Sequence, residues 1–261
     1  MDKLFVIKVG GNIIEDDEKL SSFLQAFASV EGKKILVHGG GKLATKLAEL
    51  LGFPQQMVDG RRVTDADTLK VITMVYAGSV NKNIVAKLQQ LNCNAIGLTG
   101  ADADLIRSKK RQNSSVDFGW VGDVEQVNTQ SLAALIGTGF TPVIAPLTHD
   151  GLGQLLNTNA DTIAQEMAKS MSDLYEVILI YCFEKSGVLK DVNDEGSLLS
   201  KISPGLFDEL KEDKIISEGM LPKLENAIKA LNAGVNKIVI GKAEELSLLI
   251  SGNAGTTIHH E

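Results

Sequence analysis

Lys34-Ile35-Leu36-Val37-His38-Gly39-Gly40-Gly41-Lys42-Leu43-Ala44-Thr45-Lys46-Leu47-Ala48-Glu49-Leu50-Leu51-Gly52 holds a strand, a turn and a helix in one short run. Ile35-Leu36-Val37 is the continuous apolar segment of a strand covered on both faces. Leu43, Leu47, Leu50 and Leu51, with Ala44 and Ala48, then recur at helical spacing, and Gly52 stands where a helix ends. Three glycines between them leave bare backbone N–H groups at the positive end of the helix dipole. That is a pocket for an anion, most naturally a phosphate. The run is not a Walker A loop, because Leu36 replaces its first glycine and Leu43 its Ser or Thr. Lys42 and Thr45 also interrupt the spacing of G-x-G-x-x-G. A tight βα turn with no ligand is the other reading of the segment.

The wider chain agrees with an α/β fold. Its 261 residues suit one large α/β domain or two lobes with ample core. A hydrophobic content of 44% with only 5% aromatic fits Val/Ile strands alternating with Ala/Leu helices. A formal net charge of −7 argues against a nucleic-acid surface, which needs a clustered basic excess. Cys93 and Cys182 read as reduced, packed thiols rather than a disulfide framework. No signal-peptide pattern and no apolar run of membrane-spanning length occur, so a cytoplasmic location without a membrane partner is the expectation.

Leu4 to Val9 is a second buried strand, broken only by Lys8 and followed by Gly10-Gly11. A lysine there is costly unless it meets an anion, and parallel sheets place ligands beyond their carboxyl ends. Both glycine turns and Lys8 should therefore share one edge; a snorkelling edge-strand lysine is the alternative. Glu18 to Val30 reads as the first connecting helix, and Thr64 as the N-cap of a helical region from Leu69 to Leu91, with a break near Gly78-Ser79. Arg62, just before it, could clamp a carboxylate or simply sit in solvent. Ala95–Leu98 and Thr141–Pro146 read as strands, and Val116–Val124 as a protruding hairpin. Asn159 should cap the next helix with Asp161 in its first turn, ordinarily a surface place for an aspartate. Val177–Tyr181 and Lys237–Gly241 are further strands, with a short one at Gly255–Ile258. Lys223 lies beside Pro222 at the start of another helix, where a cation is unfavourable without an anionic partner.

These segments carry a resemblance. Ile7-Lys8-Val9-Gly10-Gly11, Val37-His38-Gly39-Gly40-Gly41, Arg62-Val63-Thr64-Asp65-Ala66, Asn81-Lys82, Asn157-Thr158-Asn159-Ala160-Asp161 and Gly219-Met220-Leu221-Pro222-Lys223 occur in the order seen in the amino acid kinase family, in its acylglutamate-phosphorylating branch. The resemblance implies a three-layer αβα sandwich around a mainly parallel open sheet. It implies an acyl-amino-acid-binding lobe over residues 1–172 and a nucleotide-binding lobe over 173–261. The implied activity is transfer of a phosphoryl group from ATP, with Mg²⁺, to the γ-carboxylate of an N-acyl-L-glutamate in arginine biosynthesis. Glutamate 5-kinase or carbamate kinase activity, or a non-catalytic sensor on this fold, are the alternatives.

By the same resemblance, Lys8 would contact the transferring phosphoryl group, Lys223 the leaving side, and Asp161 would orient both lysines. Gly11 and Gly40 would donate backbone N–H bonds, while Arg62 and Asn157, with Gly40 and Gly41, would hold the acyl-glutamate. Gly10, Gly11, Glu184, Gly187 and Ser217 would face the nucleotide, with no protein-bound metal. The chain departs from relatives at Tyr181-Cys182-Phe183-Glu184-Lys185-Ser186-Gly187, where Glu184 stands in for an aspartate, and at Arg61, where an apolar residue is usual. Arg61 raises the expectation of an N-succinyl rather than N-acetyl group; a loop arginine in solvent is the simpler view. The early first strand suggests a homodimer insensitive to arginine.

Overall fold

A computed structural model describes residues 1–58, 61–112, 116–191, 193–213 and 220–260. Its centre is an eight-stranded sheet in the order Lys201–Ile202, Thr256–Ile258, Lys237–Lys242, Glu176–Phe183, Lys3–Val9, Lys33–His38, Thr141–Ile144, Ala95–Leu98. Every neighbouring pair is parallel except Lys237–Lys242 with Thr256–Ile258. The sheet runs unbroken across residue 172, so both halves of the chain build one structure.

Side chains alternate across the first strand with period two. Phe5, Ile7 and Val9 enter one core, which takes in Phe23, Leu24 and Phe27 of the Asp17–Ala28 helix and Ile84 and Leu88 of the Asn81–Gln90 helix. Leu4 and Val6 enter the other, with Ile163, Ala164 and Met167 of the Ala160–Met171 helix and Leu224, Ala227 and Leu231 of the Leu221–Asn232 helix. Helices therefore cover both faces, as the near-continuous apolar strands require. Lys8 falls on the Leu4/Val6 face, the side that Ala160–Met171 covers.

The register sets the edge that matters. Val9 stands opposite both His38 and Cys182, so three central strands end level with one another. Gly39 N–H donates to the Val9 carbonyl at 3.1 Å and ties the two glycine turns together.

Three local expectations are corrected. The hairpin pairs Ile106–Lys110 with Gly122–Val127, and residues 116–121 belong to its connection; with Leu147–His149 and Leu155–Asn157 it forms a separate four-stranded sheet. Asp65, not Thr64, caps the helix Ala66–Thr73, accepting from Thr68 N–H at 2.7 Å. Thr64 is instead fully buried and its hydroxyl accepts from Asn157 Nδ2 at 3.0 Å. The break near Gly78-Ser79 is a π-helical segment, Met74–Val80, that runs directly into Asn81–Gln90.

Candidate active site

Two adjoining clefts open at the carboxyl edge of the sheet and share Gly41, Phe183 and Lys223. The smaller, about 460 Å³, is bordered by Lys8, both glycines of the first turn, Glu184, Gly187 and Met220. The larger, about 730 Å³, is bordered by Gly39–Gly41, Arg62, Asn157 and Asp161. All the sequence-predicted site residues that fall within the described residues thus meet on one edge. Ser217 and Gly219 lie outside the described residues.

Lys8 Nζ lies 2.7 Å from Asp161 Oδ1, and Lys8 is only 8% exposed. The contact is an ion pair by distance without the directionality of a hydrogen bond. Asn159 makes this possible: its side chain accepts from Asp161 N–H at 2.7 Å and Thr162 N–H at 3.2 Å. That cap starts the Ala160–Met171 helix over the Lys8 face and delivers Asp161 in the first turn. Lys223 reaches the same place from the first turn of Leu221–Asn232. Burial holds its ammonium below the ordinary lysine range, Asp161 pushes the other way, and Lys8 adds to the lowering.

Phe183 is the residue that sequence reasoning missed. Its ring lies under both cations, 3.7 Å from Lys223 Nζ and 5.1 Å from Lys8 Nζ, and stacks on Tyr181 with centroids 6.0 Å apart. A ring face is an attractive seat for an ammonium group, worth on the order of 0.5–2 kcal/mol. The available signal was period two along Glu176–Phe183, which places Tyr181 and Phe183 on the Lys8 side. Tyr181 in turn donates to the Asp161 carbonyl at 3.3 Å.

Arg62 is not in solvent. Its Nη2 donates to the Gly41 carbonyl and to Thr45 Oγ1, each at 2.8 Å, and Nη1 donates to Gln55. Tyr76, also absent from the sequence reading, lies beneath the second glycine turn. Gly40 has φ 155°, and a Cβ there would sit 3.0 Å from Tyr76 Cδ1 and 3.2 Å from Cε1. Both the backbone angle and the ring require glycine. On the other side, Lys42 Nζ donates to Asn12 Oδ1 across the two turns. No cluster of three or more His, Cys, Asp or Glu side chains suited to a metal ion occurs among the described residues. The carboxylates that border the clefts are Asp161, already paired to a lysine, and Glu184 on the smaller cleft, too few donors for a resident metal; a divalent cation would have to arrive on the phosphates of a substrate.

A buried lysine paired to a carboxylate, with a second, half-buried lysine and glycine-turn amides beside them, belongs to an enzyme that handles phosphoryl groups. The profile of the amino acid kinase family matches residues 3–242, and the chain belongs to that family. It is 56% identical over 254 residues to the acetylglutamate kinase of Cytophaga hutchinsonii, covering 97% of this chain and 96% of that one. Among solved structures it is similar to N-acetylglutamate synthase from Neisseria gonorrhoeae, with TM-score 0.82 and 20% identity, over 100% of this chain and 60% of that one. It is also similar to Giardia lamblia carbamate kinase bound to AMP-PNP, with TM-score 0.74 and 12% identity, over 100% of this chain and 99% of that one.

The glycine-turn geometry has a direct consequence. Gly40→Ala should lose about 1–3 kcal/mol, from the disfavoured φ and the contact with Tyr76. Gly137→Ala, where a Cβ meets open space at a helix end, should be neutral or stabilising by up to about 1 kcal/mol. Equilibrium urea unfolding of the two variants checks this; equal stability would show that Gly40 is not constrained.

Proposed function

We propose that the protein is an acylglutamate kinase that transfers the γ-phosphoryl group of ATP to the γ-carboxylate of N-acetyl-L-glutamate, a step of arginine biosynthesis. The observation that carries this is the Lys8–Asp161 ion pair at the meeting of two clefts, with Lys223 beside it. It is supported by the name and near-complete overlap of the 56% identical relative, and by the nucleotide analogue held by the carbamate kinase of the same fold.

On this reading the smaller cleft takes the nucleotide, with Gly10, Gly11, Glu184 and Gly187 around it and Ser217 assigned to it by resemblance. ATP enters with Mg²⁺ as part of the substrate. The larger cleft takes the acyl-glutamate, held by Arg62, Asn157, Gly40 and Gly41. Arg62 is already oriented by Gly41 and Thr45, and Gln55 is the partner that a substrate carboxylate would replace. The attacking γ-carboxylate is ionised at neutral pH, so no side chain has to remove a proton. One carboxylate oxygen bonds to the γ-phosphorus as the bond from phosphorus to the bridging oxygen breaks, and ADP leaves with the electron pair. The protein's work is positioning and charge neutralisation. Lys8 and the Gly11 and Gly40 N–H groups face the transferring oxygens, Lys223 faces the leaving side, and Asp161 orients both lysines. We keep residues 1–172 and 173–261 as the acyl-amino-acid and nucleotide halves of the shared sheet, in a cytoplasmic homodimer; light scattering giving any mass but a dimer's would count against the last.

Lys8→Ala, Lys223→Ala and Asp161→Asn should each lower kcat about 10²–10³-fold while circular dichroism stays unchanged. A coupled ADP-release assay measures this. Binding of ATP without turnover in the native chain would turn the reading toward a sensor.

The acyl group is the open specificity. Arg61 is exposed, and both it and Arg111 border the larger cleft. Arg111 is held by Asp123, with Nε 3.0 Å from Oδ1. An N-succinyl group brings a further carboxylate that Arg61 could meet, worth roughly 1.5–3 kcal/mol or about ten-fold or more in discrimination. If so, Arg61→Leu lowers kcat/KM for N-succinylglutamate and leaves that for N-acetylglutamate unchanged. Preference for the acetyl substrate with no effect of Arg61→Leu assigns Arg61 to the solvent.

A further inference from the structure

His38 is fully buried at the end of the Lys33–His38 strand and borders neither cleft, yet it adjoins the glycine turn. Its Nδ1 lies 2.7 Å from the Gly39 carbonyl and its Nε2 3.1 Å from Asn81 Nδ2. The surrounding partners fix which atom carries the proton. Lys82 Nζ, which can only donate, contacts Asn81 Oδ1 at 3.1 Å and the Gly97 carbonyl at 2.8 Å. Asn81 Oδ1 is therefore the acceptor, and Nδ2 donates to the Val143 carbonyl at 2.9 Å and to His38 Nε2. With Nε2 accepting, a neutral ring must carry its proton on Nδ1 and donate it to Gly39. Burial favours the neutral ring, lowering its pKa to about 4. Gly97 leaves the room for this arrangement: a Cβ there would lie 2.0 Å from Asn81 Oδ1.

A trans peptide points its C=O and the following N–H in opposite directions. The Gly39 carbonyl is turned inward to His38, so the Gly40 N–H on the same peptide is turned outward, on the side of the larger cleft that Gly39, Gly40 and Gly41 border. Gly39 N–H is separately tied to Val9. We infer that His38, locked by Asn81 in its Nδ1–H form, is a positioning residue that aims the Gly40 N–H at the transferring phosphoryl group. This rests on the kinase reading for the target of the N–H, and on the hydrogen-bond network alone for its direction.

Two measurements separate those dependences. Nitrogen-15 NMR of the histidine-labelled full chain should show the His38 ring neutral near neutral pH, protonated at Nδ1 and bare at Nε2. In the ADP-release assay, His38→Leu should lower kcat by about ten- to a hundred-fold, the scale of a small misplacement, with KM for acyl-glutamate within about two-fold of native. His38→Asn, whose amide nitrogen stands near the place of Nδ1, should recover most of the loss. A ring protonated at Nε2 overturns the inference whether or not the chain turns over, as does a His38→Asn variant no better than His38→Leu. Absence of turnover in the native chain overturns the kinase reading and leaves the ring's proton to decide this one, as it does if the variants fail to fold.

Discussion

An ammonium group inside a parallel sheet is the constraint on which the rest depends. Lys8 stands in a strand whose neighbours on both sides are fully buried, so its charge is stabilised only at the strand's end. Asp161 meets it at 2.7 Å, and the Phe183 ring lies beneath. Lys223 adds a second positive charge against the same carboxylate, which leaves the group with a net excess of one. Burial pulls Lys223 below its ordinary range, Asp161 opposes this, and Lys8 adds to the lowering. A bound polyphosphate would complete the balance, which is how a site can favour the anionic reacting group over the free state.

That cluster exists only because several long-range features coincide. The first strand pairs with Lys33–His38 on one side and Glu176–Phe183 on the other in registers that end all three strands level. The glycine turns can then touch: a Cβ on Gly39 would come within 3.6 Å of the Gly11 nitrogen. The helix that brings Asp161 starts from Asn159, in the loop after the small four-stranded sheet, and the helix that brings Lys223 packs on the same face. The two halves of the chain are therefore joined where the two clefts meet, by one sheet and one shared cleft wall.

Much of this was legible in the residues. Glycine turns, short apolar strands and the Asn159 cap are local signals, and each fixed an element and the edge on which its polar residues gather. What escaped was set by tertiary contact. Phe183 stands just past the strand read at Val177–Tyr181, and nothing local marks its ring until the lysines are placed above it. Thr64 has the chemistry of an N-cap, but the tertiary partner Asn157 takes its hydroxyl and the adjacent Asp65 takes the cap. The hairpin was displaced because Val116 to Val121 alternates like a strand while Gly119 and Val121 pair by isolated bridges to Thr64 and Asn157. Arg62 looked like a free clamp, and the structure shows it already holding the second glycine turn.

The π-helical segment Met74–Val80 explains why that turn can be so closely supported. A π-helix packs less well than an α-helix and persists mainly where its extra residue is needed. Here Tyr76, inside the segment, forms the floor under Gly40, while Asn81, the first residue beyond it, reaches His38 on the other side of the same turn. A regular α-helix advances about 100° per residue, so removing the extra residue would swing Asn81 away whenever Tyr76 stayed in place. The segment thus couples the two supports of the glycine turn through one stretch of backbone. Since the proposed reaction needs no general base, accuracy in placing those amides and the two ammonium groups is the main thing the fold has to supply, and an irregular helix that holds them is a reasonable cost.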